Sequence, residues 1–278
     1  MTVGFDRCSD CGLLWQTPTP TRETLATAYP ADYRPHVSGR DASGVAGLLR
    51  KLKDIQASML VAKIRPFLPA DHDTPILDLG CGSGHLLFAL QAKGYRRLSG
   101  LDQNPALAAA FAGTGIQYLS RDLEAARDLG GRYAAITLVN VIEHFLHPDQ
   151  ILALCRESLL PGGKLIVITP SAEGWSARVF GKYWSGLHAP RHTLVFAPGN
   201  FRLLALRLGF RSVQTAGLAD PGSWAVSFQS RLRSLFSPKR APAGGTAWYS
   251  LALLPVWYGL AASERLLGRS SSFLAVLA

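Results

Sequence analysis

The sequence predicts an α/β domain: a parallel sheet covered by helices on both faces. Three observations predict it. The apolar run Ile76–Leu79 breaks into a glycine-rich turn, Gly80-Cys81-Gly82-Ser83-Gly84, and then becomes apolar and helix-prone from His85. Strand-like and helix-like segments go on alternating at that pitch as far as Ile168, as βαβ units require. Asp78, Asp102, Asp122 and Asn140 fall at or near the predicted strand ends, where sheets of this kind bind ligands at a topological switch point.

At 278 residues the chain can bury one large core, or one core with appendages. Its formal net charge of +10 admits a solvated basic surface, an acidic substrate or an anionic membrane surface. Nucleic acid ranks low, because no aromatic-basic recognition motif is present. Asp6, Arg7 and Asp10 interrupt any apolar leader, and four cysteines do not make a disulfide scaffold, so a reducing cytoplasm is expected.

Taken in order, Cys8-Ser9-Asp10-Cys11-Gly12 is a C-x-x-C-G knuckle. It offers two thiolates where a structural zinc takes four ligands, and Cys81 and Cys155 are poor partners, so a metal-free turn is expected. Residues 21–33 predict a short helix and loop, and 34–44 a polar linker. Residues 47–68 predict an amphipathic helix whose apolar face is Leu48, Leu49, Leu52, Ile55, Met59, Leu60 and Ile64. Strands follow at 76–79, 98–101, 116–119, 135–139 and 164–168. Helices are expected at 85–93, 105–112, from Leu123, and at 149–159. Beyond them, 171–191 reads as an aromatic, glycine-rich lid, and Pro198–Leu208 as a helix stopped by Gly209. Residues 211–216 and 272–277 are strand candidates. Between them, 220–267 reads as two apolar helices joined by a turn over 238–245. Residues 247–262 are apolar but short for a membrane span and interrupted by Pro255, so a buried or lid-forming pair is favoured over membrane association. The expected organisation is an N-terminal unit (1–45), a core (46–219), a helical insertion (220–270) and a last core strand (271–278).

The glycines let the backbone take positive φ and approach a ligand, and the helix that follows offers N–H groups to an anion such as a carboxylate. The spacing is neither that of a dinucleotide fold nor that of a phosphate loop. Asp102 lies about twenty residues beyond the turn, the offset at which an acid meets ribose hydroxyls. With residues 121–123, 138–148 and 160–170, these pieces resemble the class I S-adenosylmethionine-dependent methyltransferases, in the family's order. The resemblance implies a Rossmann-like fold with a mostly parallel seven-stranded sheet, a last antiparallel pair, and S-adenosyl-L-methionine as cofactor. It implies that Asp78 and the backbone of Gly80, Gly82 and Gly84 hold the methionine end. Asp102 would accept from the ribose hydroxyls, with Gln103 flanking. Asp122 and the Leu123 N–H would meet the adenine, and Asn140 the methionine end. Asp102 and Asp122 are also natural helix N-caps. Residues 8–33 are similar to half of a small zinc ribbon that precedes many such enzymes.

Two further segments carry the acceptor side. Asn140–Pro148 resembles the E-H-x-x-x-P segment of methyltransferases related to ubiquinone-biosynthesis O-methylation. Ala134 stands after Tyr133 where that branch usually has aspartate. Tyr183–Phe196 resembles its W-x-G-x-x-x-P-R-H-x-x-x-F segment. Glu143, His144, Arg191 and His192 are the candidate catalytic residues. The histidines would take a proton, and Arg191 would meet an anionic or phenolic acceptor. Glu143 with a histidine could instead hold a divalent ion, or the same groups could simply order their loops. The function implied is methyl transfer to a small-molecule acceptor, most readily at oxygen. The alternatives are an inactive cofactor-binding scaffold and a membrane-peripheral enzyme acting on a lipid-like quinol.

Overall fold

The computed structural model describes residues 3–28, 44–236 and 252–278. The expected linker over 34–44, except Gly44, and the turn over 238–245 lie outside them.

Seven strands form the main sheet. They are β3 (Ile76–Leu79), β4 (Leu98–Asp102), β5 (Gln117–Ser120), β6 (Tyr133–Val139), β7 (Leu159–Pro170), β9 (Val213–Leu218) and β10 (Ser272–Leu277). Their order is β5-β4-β3-β6-β7-β10-β9. Strands β3 to β7 pair in parallel, and β10 runs antiparallel between β7 and β9. The chain starts in the middle at β3, builds outward through β4 and β5, then returns to β6. The switch point therefore lies between β3 and β6, beneath the glycine turn. β7 starts earlier than predicted, because an irregular pairing with β6 takes up Gly162 and Gly163.

Both faces are covered. One core joins Leu77, Leu79, Ile136, Leu138, Leu165 and Phe273 to α5 (Pro148–Glu157) and α7 (Pro198–Arg207). The other joins Ile76, Ala135, Ile166 and Leu274 to α2 (Gly44–Ile64), α3 (His85–Ala92) and α4 (Ala108–Phe111). Alternate residues of each strand thus feed opposite layers.

Two expectations fail. The buried stripe of α2 and its extension is Ala57, Val61, Ile64 and Leu68, with Leu60 packed beside it. Of the expected face Ile64 and Leu60 hold, Ile55 and Met59 are 56% and 46% exposed, and the side chains of Leu48, Leu49 and Leu52 lie outside those described. Two residues from Ala57 is about 200° of helix, so the Ile55 and Met59 side chains point away from the layer. No helix follows Leu123: Asp122 Oδ1 accepts the Glu124 N–H at 3.0 Å, and 122–126 closes as turns.

A second, three-stranded sheet joins β1 (Gly4–Arg7) and β2 (Leu14–Thr17) to β8 (Leu194–Val195). The cysteine knuckle is the hairpin turn, with Gly12 at φ 73°. A short helix α1 (Arg22–Thr27) follows it. The expected lid contains α6 (Trp175–Phe180) and packs against α8 (Pro221–Phe236). With α9 (Leu254–Leu266), α8 buries Trp224 and Trp257. Among the described residues, no helix is long and apolar enough to cross a membrane.

Candidate active site

The glycine turn is bonded to the neighbouring strand end. Gly80 and Cys81 donate to the Leu101 carbonyl at 2.7 and 3.2 Å, and the Gly82 N–H donates to Asp102 Oδ2 at 3.0 Å. Gly80 sits at φ 74°, and a Cβ there would lie 2.5 Å from the Val141 side chain, so both conformation and space demand glycine. Asp102 Oδ1 accepts the Asn104 N–H at 3.1 Å. Its remaining lone pairs can still accept hydroxyls.

Asp78 is buried under the turn. Loss of water, opposed by the bond from Thr137 Oγ1 (2.6 Å) and helped by the nearby Asp102 charge, raises its carboxyl to about 7. The Cys81 thiol is also pushed up by burial, as a core residue's is. Gln103 is exposed beside Asp102, and Asn140 is exposed at the end of β6 with φ 54°. Asp122 departs from its expected setting: it is half exposed and ion-paired with Arg22 of α1. Leu123 turns into the core.

The acceptor-side candidates do come together. Glu143 is fully buried on a short turn after β6. Its Oε2 accepts the Thr169 hydroxyl at 3.0 Å, and its Oε1 has no partner. Burial raises this carboxyl to about 7. His192 Nε2 lies 4.0 Å from the orphan oxygen, and His192 Nδ1 donates to the Gly186 carbonyl at 2.7 Å. His144 Nδ1 donates to the Arg191 carbonyl at 3.1 Å. The two rings meet edge to face at 4.6 Å. Burial lowers His144 to about 4 and His192 well below the usual histidine range. Both are therefore neutral imidazoles near pH 7. Glu143, His144 and His192 can bring one ligand atom each within 4.8 Å of one another.

Further residues support this arrangement, and of these sequence reasoning missed Thr193 and Gln16. His188 packs edge-on to His192 at 5.0 Å and meets Arg191 Nη1 at 3.1 Å. Thr193 Oγ1 donates to the Glu143 and Phe145 carbonyls, which ties the two acceptor-side segments together. Buried Gln16 of β2 donates its backbone N–H to Thr193. With its amide nitrogen turned inward, it donates to the Pro190 and His192 carbonyls at 3.1 and 3.0 Å. Arg191 Nε donates to the Ala28 carbonyl at 2.8 Å. Arg191 thus braces the N-terminal segment. The hairpin's available signal was Gln16, a polar residue at a buried position of β2, two residues beyond buried Leu14.

A glycine turn at the switch point, with carboxylates at two adjacent strand ends beneath a seven-stranded sheet of this order, defines the class I S-adenosylmethionine-dependent methyltransferase fold. Residues 52–215 match a methyltransferase domain family, and the chain belongs to it. Over 169 residues it is 29% identical to the ubiquinone biosynthesis O-methyltransferase of Cereibacter sphaeroides, a match covering 56% of this chain and 68% of that one. It is also 29% identical over 127 residues to the same-named protein of Pectobacterium atrosepticum, covering 42% and 52%. A solved SAM-dependent methyltransferase from Archaeoglobus fulgidus superposes with a TM-score of 0.53 at 15% identity, over 84% of this chain and 99% of that one. That likeness speaks to the fold. The chain is an S-adenosylmethionine-dependent methyltransferase, and S-adenosyl-L-methionine is its cofactor. The residues present fit that group: the turn's glycine cradle has no room for a Cβ at Gly80, and Asp78 and Asp102 border it.

Proposed function

We propose that this enzyme methylates a hydroxyl oxygen of a small-molecule acceptor, with Glu143, His144 and His192 handling the hydroxyl proton. The observation that carries the reading is the orphan Glu143 oxygen facing His192 Nε2 beside the His144 ring. The names of the Cereibacter and Pectobacterium relatives favour oxygen as the acceptor atom.

On this reading Asp78 and the backbone of Gly80, Gly82 and Gly84 hold the methionine end of the cofactor, with the Asn140 carbonyl opposite. Asp102 accepts from the ribose, and Gln103 flanks it. Asp122 and Leu123 border the adenine, where Arg22 must yield or share Asp122. When bound, the cofactor supplies an electrophilic methyl group on a sulfonium; the protein supplies alignment and exclusion of water. His192 Nδ1 is tied to the Gly186 carbonyl, so Nε2 is its basic atom; the His144 ring bonds to the Arg191 and Asn140 carbonyls and must turn from one of them to take a proton. His144, the more exposed of the two, receives the hydroxyl proton. Glu143, ionised, steadies the resulting positive charge, with His192 between them. Arg191 and His188 keep this loop in place.

A second reading has its own support: the same three residues have the donor set for a divalent cation. Catechol-type phenols serve as generic acceptors, with S-adenosylhomocysteine release as the readout. Glu143→Gln and His144→Ala should each lower turnover by about 10²-fold or more while leaving cofactor affinity within about twofold. Wild-type turnover in both variants would sink the proposal. Loss of wild-type activity on chelation, restored by added Mg²⁺ or Zn²⁺, would select the cation reading.

A further inference from the structure

Beyond the region matched by the family, the insertion buries a carboxylate that the site described above does not use. Glu264 of α9 is fully buried, with the Asp220 carboxyl near it, and among the described residues it accepts four hydrogen-bond contacts. Ser176 N–H reaches Oε1 at 2.7 Å, Ser271 N–H reaches Oε2 at 3.3 Å, and the Ser271 hydroxyl lies 2.6 and 2.7 Å from the two oxygens. From there a chain of hydroxyls runs back toward the acceptor loop. Ser271 Oγ is 2.5 Å from Ser176 Oγ, which is 2.9 Å from Ser223 Oγ of α8. Ser223 Oγ lies 3.0 Å from the indole Nε1 of Trp184.

The direction of every proton in this chain is fixed by its ends. A carboxylate only accepts, and an indole N–H only donates. Each serine has one proton. Ser271 must give its proton to Glu264, so it accepts from Ser176; Ser176 then accepts from Ser223, and Ser223 from Trp184. The result is a one-way relay from Trp184 to Glu264, with each bond polarising the next. All five side chains are buried, so none of these bonds competes with water.

The relay ends where the acceptor loop is most constrained. Gly186 lies against the Trp184 ring so closely that a Cβ would overlap it. The Gly186 carbonyl is the acceptor that holds His192 Nδ1–H at 2.7 Å. Ser185 N–H is tied to Ser227 Oγ of α8 at 2.9 Å, which holds the same turn from a second point.

We infer that Glu264 is a positioning residue: through Ser271, Ser176, Ser223 and Trp184 it sets the place of the Gly186 carbonyl and thereby the tautomer of His192. The insertion is then a brace for the proton-handling loop. This rests on the proposed role of His192, but its test does not.

The test uses the full-length protein, ¹⁵N-labelled, and reads histidine side-chain nitrogens by long-range ¹H–¹⁵N spectra. His192→Gln assigns the signal. Wild type should show His192 as the Nδ1–H tautomer. Ser223→Ala cuts the relay in the middle, and Trp184→Phe removes its first donor while keeping most of the ring. In both, His192 should pass to a mixture of tautomers and its Nδ1–H should exchange about tenfold faster or more. Glu264→Gln, which turns an NH₂ toward donors, should do the same. S-adenosylhomocysteine affinity should stay within about twofold in all three. Ser230→Ala, an exposed serine on the same helix, is the control and should change nothing. An unchanged His192 signal in folded, cofactor-binding Ser223→Ala and Trp184→Phe would overturn the inference, even if Glu264→Gln fails to fold. A shifted signal with unchanged methyl transfer to a phenol would uphold the positioning role and refute the catalytic role of His192.

Discussion

Asp78 and Glu143 are carboxyl groups whose protonation changes within the working range, because each is taken out of water without a cation beside it. For Asp78 the sign is direct. Below about 7 the group is neutral, and above it a carboxylate faces the cradle. Cofactor affinity should therefore tighten as pH rises through that value, approaching about tenfold per unit on the acidic side. Calorimetric titration with S-adenosylhomocysteine from pH 6 to 8 checks this; Asp78→Asn should flatten the profile. For Glu143 the linkage runs through folding. Its carboxyl is raised from 4.5 to about 7, so between those values the native state holds a proton that the unfolded chain releases. Stability falls with rising pH there, and is flat above. His144, lowered to about 4, opposes this, since its unfolded ring binds the proton first and stability rises with pH up to about 6.5. The two largely cancel in wild type. In metal-free Glu143→Gln the stability gap to wild type should shift in the variant's favour by on the order of 3 kcal/mol between pH 4.5 and 7. Denaturant melts across pH measure it, and a pH-independent gap would contradict the assignment.

Among the elements, the glycine turn was the most legible, because its requirement is local. Gly80→Ala must hold a side chain at φ 74° and against Val141. It should cost about 1–3 kcal/mol in denaturant melts and abolish cofactor binding. Strand positions were legible for the same reason: the apolar runs are short and bounded by turn residues. The face of α2 was not, since apolar residues surround that helix and only its neighbour α3 decides which stripe is buried. The helix after Leu123 failed because Asp122 satisfies the next amides without one. Arg22 against Asp122, and Gln16 against the Pro190–His192 carbonyls, join residues roughly a hundred or more apart in sequence. No spacing rule reaches that far, so the N-terminal hairpin looked like a remnant although it grips the acceptor loop.

For the whole molecule, the last strand closes a sheet begun almost two hundred residues earlier. Phe273 of β10 is fully buried, meets Phe201 edge-on at 5.7 Å and shares a core with Leu77 and Ile136. Phe273→Ala should cost about 3–5 kcal/mol in a single cooperative melt. A loss under about 1 kcal/mol would mean that β10 is peripheral to the fold. The parallel sheet and the order of its elements were readable from alternation alone, whereas the insertion's hold on the loop depends on side chains that only tertiary structure aligns. On the proposed reading, the glycine turn and the carboxylates at the ends of β3 and β4 form one cofactor site. The most direct measurement is calorimetric titration with S-adenosylmethionine and S-adenosylhomocysteine, wild type beside Asp102→Ala. Asp102 anchors Gly82 and, in this account, the ribose, so wild type should bind both ligands and the variant should bind each at least about tenfold more weakly. Equal affinity in the two proteins, both folded, would contradict the account.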